Sequence, residues 1–161
     1  MKRIINPFAD QGKQGGYNCF GCSPYNDVGL KLQFFDDGEG LTANWQPKRF
    51  LEGYPHVVHG GIQSTLLDEI GEWVIYVKCE TAGVTANLNI DFKHPLRITD
   101  QEVTLKGQLL EHKDTEAKVK TSLFDAGGKL CTEGIITYFI YPQEIAVKRF
   151  IYPGVKAFYE E

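Results

Sequence analysis

The sequence lacks any apolar run that approaches the ~20 residues of a membrane-spanning helix. Residues 1–5 lead directly into Asn6 and Pro7, without the apolar centre of a signal peptide. A basic excess is also lacking, because the formal net charge is −4 at pH 7, and this argues against a nucleic-acid-binding protein. These absences predict a cytoplasmic protein that has neither a membrane nor a nucleic acid as partner.

Cysteine is scarce, and its spacing is not that of a disulfide scaffold. The four cysteines are Cys19, Cys22, Cys79 and Cys131. The first two form a single C-x-x-C pair, whereas a zinc ribbon needs a second pair. A mixed metal site of this pair with His56 and His59 is the alternative, although the histidine spacing is short for a small zinc finger. We therefore predict no metal and reduced thiols, with Cys79 and Cys131 as small buried hydrophobic residues.

The sequence also lacks several catalytic and cofactor motifs. It contains neither the G-x-S-x-G elbow of serine hydrolases nor the H-E-x-x-H helix of zinc proteases. Residues 38–43 match the dinucleotide pattern G-x-G-x-x-A, but they lie in a predicted hairpin turn with no helix after them. Serine-hydrolase, zinc-protease and dinucleotide-binding functions therefore have no support in the sequence.

One long amphipathic helix and several alternating strands are predicted. The helix runs from Gly61 to about Lys78, with its apolar residues at helical spacing: Ile62, Leu66, Ile70, Trp73, Val74 and Val77. Strand-like alternation occurs near residues 30–34, 41–45, 85–92, 103–109, 117–123 and 130–141. In the strand at 85–92 the alternation places Thr85 and Asn87 on one face. One helix with a mainly antiparallel sheet is an α+β layout.

The most informative segment is His59-Gly60-Gly61 at the start of this helix, followed by Asp68. Backbone N–H groups at a helix start can stabilise an oxyanion, and an acidic side chain can activate water. Gly60 and Asp68 would lie roughly 12 Å apart along one helix, too far to act on one carbonyl. If both act on the same bond, Asp68 comes from a second subunit. Asp68 also lies about 180° from the centre of the apolar arc, on a side that a partner would cover.

This segment resembles the hotdog-fold acyl-CoA thioesterases, the group related to the phenylacetate-pathway and 4-hydroxybenzoyl-CoA thioesterases. Residues 19–22, 26–32 and 86–92, with Pro95, extend the similarity to roughly residues 18–141. The resemblance implies a curved antiparallel sheet wrapped around one central helix. It also implies a single hotdog domain over residues 1–161, with an irregular N-terminal lead-in at 1–27, a core at 28–141 and a C-terminal extension at 142–161.

The family resemblance implies hydrolysis of a small, aryl or fatty acyl-CoA thioester. The Gly60 N–H would be the main oxyanion donor, and His59 would hold the loop or lend a further hydrogen bond. Asp68 would act as general base or as nucleophile. The enzyme would be a homodimer or tetramer with its active site at the subunit interface. Coenzyme A would enter as part of the substrate, with no other cofactor.

Further residues are predicted to bind the substrate: Gly61, Thr85, Asn87, Lys93 and His94. Thr85 aligns approximately with a family position whose hydroxyl helps to place the attacking water, and Asn87 follows on the same predicted face. Lys93 and His94 could meet the phosphates of coenzyme A. Gly53 is a departure, because some relatives have an asparagine at that position.

Rival interpretations remain at this point. Glu69 and Glu72 are alternative carboxylates, and Glu72 lies one turn from Asp68, which gives either a raised carboxyl pKa or a solvated acidic face. The second is the expectation. For the function, the alternative is a non-catalytic hotdog module that binds acyl-CoA. A hotdog dehydratase comes third, because it would need a catalytic histidine paired with an acid across the site.

Overall fold

A computed structural model describes residues 1–160. The strands are β1 (Lys2–Arg3), β2 (Phe34–Asp36), β3 (Leu41–Trp45), β4 (Gly83–Phe92), β5 (Val103–Lys113), β6 (Glu116–Phe124) and β7 (Leu130–Ile140). The α-helices are α1 (Ala9–Lys13), α2 (Gly60–Lys78) and α3 (Gln143–Phe150), and short 3₁₀ helices lie at Arg49–Leu51 and Val155–Phe158.

The strands form one seven-stranded sheet in the order β1-β2-β3-β5-β6-β7-β4, and all neighbours are antiparallel. Helix α2 lies against the strands from β3 to β7, so the sheet wraps around it. The predicted α+β layout with one long central helix is confirmed. The helix begins at Gly60, one residue before the predicted start, and ends at Lys78 as predicted.

Helix α2 is buried on two sides rather than along a single arc. Leu66, Ile70 and Val74 of the predicted arc are buried, but so are Leu67 and Ile75. The additional burial arises because the chain termini also pack on this helix. Aromatic rings from both termini, from β2 and from α2 form one cluster. Its members are Phe8, Tyr17, Phe34, Trp73, Tyr76, Tyr152 and Phe158.

The terminal segments therefore contribute to the core. The lead-in that the sequence predicted as irregular contains β1 and α1. The predicted first hairpin is present, but β2 begins only at Phe34, and Lys31 has a positive φ of 55° that is incompatible with a regular strand. The C-terminal extension forms α3 and then returns to α2, where the Tyr152 hydroxyl donates to the Tyr76 carbonyl at 2.9 Å.

Strand β4 is an edge of the sheet, because it pairs with β7 alone. Most of its side chains are exposed, including the apolar Val84, Leu88 and Phe92. The register between Thr85 and Asn87 shifts at Ala86, which is the extra residue of a β-bulge. An open edge of this length, with apolar side chains on it, is a surface that another strand can pair with.

Candidate active site

An open cavity of about 860 Å³ lies at the N-terminus of α2. Its walls come from the loop before the helix, the helix start and the end of β4 with the turn after it. The lining residues are Glu52, Gly53, Tyr54, Val57, Val58, His59, Gly60, Gln63, Phe92, Lys93, His94 and Pro95. The predicted residues His59, Gly60, Lys93 and His94 are thus brought together, although more than thirty positions separate the two pairs in the sequence.

His59 is the N-cap of α2. Its Nδ1 accepts a hydrogen bond from the Gly61 N–H at 2.9 Å, which satisfies one of the unpaired donors at the helix start. The neutral ring therefore carries its proton on Nε2. The Gly61 N–H is already bonded and is not available to a substrate, although Gly61 was predicted to bind one. His59 holds the helix start, and its direct participation in catalysis stays a prediction.

The Gly60 N–H has a different environment. Gly60 is the first residue of α2, and its N–H donates to no acceptor among residues 1–160. A Cβ at this position would lie 3.4 Å from the Phe92 ring, an ordinary contact, so that ring borders Gly60 at the cavity wall. An unpaired backbone donor at the positive end of a helix dipole is suited to bind a partial negative charge.

Asp68 lies elsewhere, between α2 and the sheet. Its Oδ1 accepts hydrogen bonds from the Thr85 hydroxyl at 2.9 Å and the Tyr138 hydroxyl at 3.1 Å. The Tyr138 hydroxyl also lies 2.8 Å from the Asp68 backbone carbonyl. No donor among residues 1–160 contacts Oδ2. The side of α2 that we expected a partner subunit to cover is therefore covered at Asp68 by β4 and β7 of the same chain.

Gly71 makes the close approach of Tyr138 to the helix feasible. A Cβ at Gly71 would lie 2.1 Å from the Tyr138 hydroxyl, so any larger residue would displace the phenol from Asp68. Burial, together with the charges of Asp68 and Glu72, raises the pKa of Tyr138 well above its ordinary value. The phenol consequently stays protonated and acts as a hydrogen-bond donor to Asp68.

Within one chain the two halves of the predicted site are separate. Asp68 does not line the cavity that contains Gly60. The two residues are on one helix and roughly 12 Å apart along its axis. A site that uses both for one thioester needs Asp68 from another subunit.

The predicted pairing of Thr85 with Asn87 on one strand face is wrong. Thr85 lies opposite Tyr138 and contacts Asp68, whereas Asn87 lies opposite Thr137. Because opposed residues of paired strands point to the same side, the bulge at Ala86 places Asn87 on the face of the sheet away from α2. Within its own chain Asn87 is therefore remote from Asp68. A bulge of one residue leaves no mark in the alternation of the sequence.

The side chains of Lys93 and His94 at the cavity are exposed. The Lys93 ammonium lies 3.3 Å from Glu133, and both side chains are partly accessible, so this pair adds little to stability. The backbone N–H groups of Lys93 and His94 both donate to the Cys131 carbonyl, at 2.8 and 3.0 Å, which fixes the turn after β4. Lys93 can exchange its partner for a phosphate without disturbing the fold.

Two residues of this region were missed by the sequence-based reasoning. Gln63 is buried at the cavity, donates to the Val58 carbonyl at 2.8 Å and accepts a hydrogen bond from the Thr132 hydroxyl. Tyr138 is the second missed residue, and its hydroxyl donates a hydrogen bond to Asp68, as that of Thr85 does. The glutamine lay within a helical pattern, and the tyrosine lay in a strand apolar on both faces, so neither pattern indicated a polar contact.

Glu72 is not on a solvated face, and that expectation is wrong. The side chain is largely buried, and its Oε1 has no hydrogen-bond partner among residues 1–160. Burial, followed by the charges of Glu69 and Asp68, raises the pKa of Glu72 from 4.5 to about 8. Burial and the neighbouring Cys19 likewise raise the pKa of Glu69 to about 8.

We expect Glu72→Gln to make the protein more resistant to unfolding at alkaline pH. The raised pKa means that the folded state holds a proton that the unfolded state releases above about pH 4.5, so stability falls as pH rises from there through 8. Glutamine cannot ionise and escapes this loss. The Tm difference between the variant and the wild type should grow between pH 5 and pH 9, at ~2–4 °C for each kcal/mol.

Thermal unfolding across this pH range is the measurement, with Glu102→Gln at an exposed position as the control. The control should follow the wild type at every pH. Parallel curves for wild type and Glu72→Gln would contradict the prediction.

The mixed metal site predicted as an alternative is not assembled. Among residues 1–160, the group of three or more potential metal ligands that lie close together consists of Cys19, Cys22 and Glu69. His56 and His59 are not in it. Cys131 is buried as expected, and Cys79 is half-buried at the end of α2.

Comparison with known proteins agrees with the fold. Residues 56–132, slightly less than half of the chain, match the sequence model of the thioesterase superfamily. The chain is also 31% identical over 81 residues to the uncharacterized mitochondrial membrane protein FMP10 of Saccharomyces cerevisiae. That match covers 48% of this chain but only 33% of the yeast protein, so the chain spans about a third of this relative. Within residues 1–160 no helix has the length and apolar character to cross a membrane.

Several solved structures have a similar fold. A thioesterase superfamily protein from Shewanella loihica PV-4 is 25% identical with a TM-score of 0.63, over 81% of this chain and 99% of that one. Zebrafish thioesterase superfamily member 2 is 24% identical with a TM-score of 0.64, over 74% and 88%. A hypothetical thioesterase from Streptococcus pneumoniae TIGR4, solved with coenzyme A, is 20% identical with a TM-score of 0.64, over 70% and 90%.

The sheet wrapped around α2 and the cavity at the start of that helix define a hotdog-fold protein. The match of residues 56–132 to the thioesterase superfamily agrees with the resemblance noted at residues 59–68. The predicted cytoplasmic location stays a prediction.

Proposed function

We propose that this protein is an acyl-CoA thioesterase that acts as a homo-oligomer, with Gly60 of one subunit and Asp68 of another at each active site. The observation that carries the proposal is the unpaired Gly60 N–H at the wall of an open cavity. The match of residues 56–132 to the thioesterase superfamily supports a thioester hydrolase more broadly. The choice of substrate and the residue roles are our inference.

The chemistry requires few groups. The thioester oxygen would accept a hydrogen bond from the Gly60 N–H as it becomes an oxyanion. Asp68 would remove a proton from the attacking water through Oδ2, while Thr85 and Tyr138 hold Oδ1. A thiol has a pKa of ~8.5, so the coenzyme A thiolate leaves without much assistance from an acid. Direct attack by Asp68 on the carbonyl uses the same arrangement.

The exposed edge of β4 supports the oligomeric arrangement. Its outer backbone groups have no neighbouring strand, and Leu88 and Phe92 are 43% and 54% exposed. The Phe92 ring also lies beside Gly60 at the cavity, 3.4 Å from the position that a Cβ would occupy. A second copy paired with this edge would bury both side chains and come close to the cavity, which is where an external Asp68 is needed.

The residues at the rim of this cavity support coenzyme A as part of the substrate. Its phosphates need cations or backbone donors, and Lys93 and His94 are exposed there. The Streptococcus pneumoniae neighbour was solved with coenzyme A, which is a further support for this substrate class. The acyl chain would then occupy the part of the cavity lined by Val57, Val58 and Phe92.

Mixing two inactive variants tests the shared site. Asp68→Asn and Gly60→Pro each remove one half of it. In a dimer of one Asp68→Asn chain and one Gly60→Pro chain, the first supplies Gly60 and the second supplies Asp68, so one site is intact. Random re-association of equal amounts should restore about a quarter of the wild-type rate of thiol release.

The assay should cover short, medium, long and aryl acyl-CoAs, and each variant alone is the control. A mixture as inactive as its components would overturn the shared site. If the wild type binds acyl-CoA but releases no thiol from any substrate, the thioesterase proposal fails and the non-catalytic acyl-CoA-binding module replaces it.

A further inference from the structure

A second cluster of chemically reactive groups lies where the N-terminal segment contacts α2. The Sγ atoms of Cys19 and Cys22 and a carboxylate oxygen of Glu69 all lie within 4.8 Å of one another. Cys22 is buried, and the other two are half-buried. In a tetrahedral zinc site, Zn–S bonds of ~2.3 Å and Zn–O bonds of ~2.1 Å place ligand atoms about 3.4–3.8 Å apart. The 4.8 Å upper limit of the separations in this cluster exceeds the largest of these spacings by about 1 Å.

We propose that this cluster is a zinc site, in which the Cys19 and Cys22 thiolates and the Glu69 carboxylate are three ligands and a water molecule is the fourth. Thiolates favour soft metals and carboxylates favour hard ones, so a mixed set of this kind fits the borderline zinc ion. The site does not depend on the proposed thioesterase activity. It would join the N-terminal segment to the central helix.

Hydrogen bonds around the cluster orient the proposed ligands. The Tyr17 hydroxyl lies 2.7 Å from the Cys22 Sγ, where it can donate to a thiolate. The Trp73 Nε1–H donates to Glu69 Oε1 at 3.1 Å. Outer partners of this kind hold ligands in place in metal sites and change metal affinity when they are removed. The thiol of Cys22 and the carboxylate of Glu69 thus each have a hydrogen-bond donor beside them.

The backbone holds the loop of residues 19–22 against the helix. The Leu30 N–H donates to the Phe20 carbonyl at 2.8 Å, and the Leu32 N–H donates to the Gly21 carbonyl at 2.9 Å. Gly21 is required for the approach, because a Cβ there would lie 2.3 Å from the Glu69 carboxyl carbon. The loop is therefore fixed by contacts outside the cluster, with its two sulfur atoms beside Glu69.

Metal binding would accompany loss of the ligand protons. Ionisation of two thiols and one carboxyl so close together is opposed by mutual repulsion and by loss of solvent. A divalent ion offsets both, and a coordinated thiol loses its proton outright. Since the pair Cys19 and Cys22 closes only a short loop, Glu69 is the ligand that makes the site a link between distant segments.

Metal titration of the full chain tests the proposal. The metal-free protein, kept under a non-thiol reductant, is titrated with Co²⁺ and then with Zn²⁺. We expect one cobalt per chain with thiolate-to-cobalt charge-transfer absorption, displacement of the cobalt by zinc, and a higher Tm with zinc than without. Absence of the charge-transfer absorption, or a Tm that zinc does not raise, would overturn the proposal.

Variants assign the ligands. Cys22→Ser should abolish the charge-transfer band. Glu69→Gln, which has nearly the same shape and should fold, is expected to weaken zinc binding by at least about 10-fold, and Tyr17→Phe by about 10–100-fold. Cys79→Ser and Cys131→Ser are matched controls that should bind zinc as the wild type does. Equal zinc affinity in Glu69→Gln and wild type would exclude the carboxylate and overturn the three-ligand site.

Discussion

Substitution of Asp68 by asparagine is expected to lower kcat/KM for acyl-CoA hydrolysis by about 10²–10⁴-fold, the usual contribution of a general base. The amide oxygen of asparagine can accept the same two hydrogen bonds from Thr85 and Tyr138, so the fold should be retained. Only the negative charge and the basicity of Oδ2 are lost. Steady-state thiol release, measured beside a thermal unfolding curve, checks both parts of this expectation.

Asp100→Asn is the matched control, because Asp100 is exposed and lies outside the cavity. It should leave kcat/KM and Tm unchanged. Undiminished turnover in Asp68→Asn would remove Asp68 from the reaction, and Glu72, one turn further along α2, would be the next carboxylate to substitute.

Substitution of Gly60 by proline is expected to lower kcat by about 10²–10³-fold, the usual cost of losing one oxyanion donor. Proline has no N–H, yet it is well tolerated at the first residue of a helix. The preceding residue, His59, has φ −55° and ψ 135°, an extended conformation that proline accepts in its neighbour. The variant therefore removes the donor with little effect on the helix, as circular dichroism and the Tm should show.

The Gly60→Ala variant distinguishes the loss of the backbone N–H donor from steric contact of an added side chain with Phe92. It keeps the N–H and adds a Cβ that would lie 3.4 Å from the Phe92 ring, an ordinary contact. We expect nearly wild-type turnover from the alanine variant. If alanine and proline reduced kcat equally, contact with Phe92 would explain the loss, and the Gly60 N–H would have no catalytic role.

The sequence predicted the central helix and the strands of the sheet because their periodicities are strong. Helical spacing of the apolar residues gave α2 to within one residue, and alternation located β3 to β7. The first strand of the predicted hairpin was placed too early, since Leu30 and Leu32 are buried without being in a strand. An alternating pattern records which side chains are buried, and an irregular segment can produce it too.

The terminal segments show the limit of the same reasoning. Neither the lead-in nor the C-terminal extension has a regular apolar pattern, yet both bring aromatic rings onto α2. Tyr76 meets Phe8 from one terminus and Phe158 from the other. Such contacts join residues far apart in the chain, and no local pattern encodes them.

The sequence by itself determined the helix start at residues 59–61, the fold family and the separation of Gly60 from Asp68. The helix start and this separation follow from local properties, the two glycines and the fixed rise of a helix, whereas the fold family followed from the resemblance at residues 59–68. Only the tertiary structure decided which groups meet Asp68, that the bulge at Ala86 turns Asn87 away, and that Glu69 lies beside Cys19 and Cys22. The reason is that strand register and the packing of segments on α2 arise from contacts between distant residues.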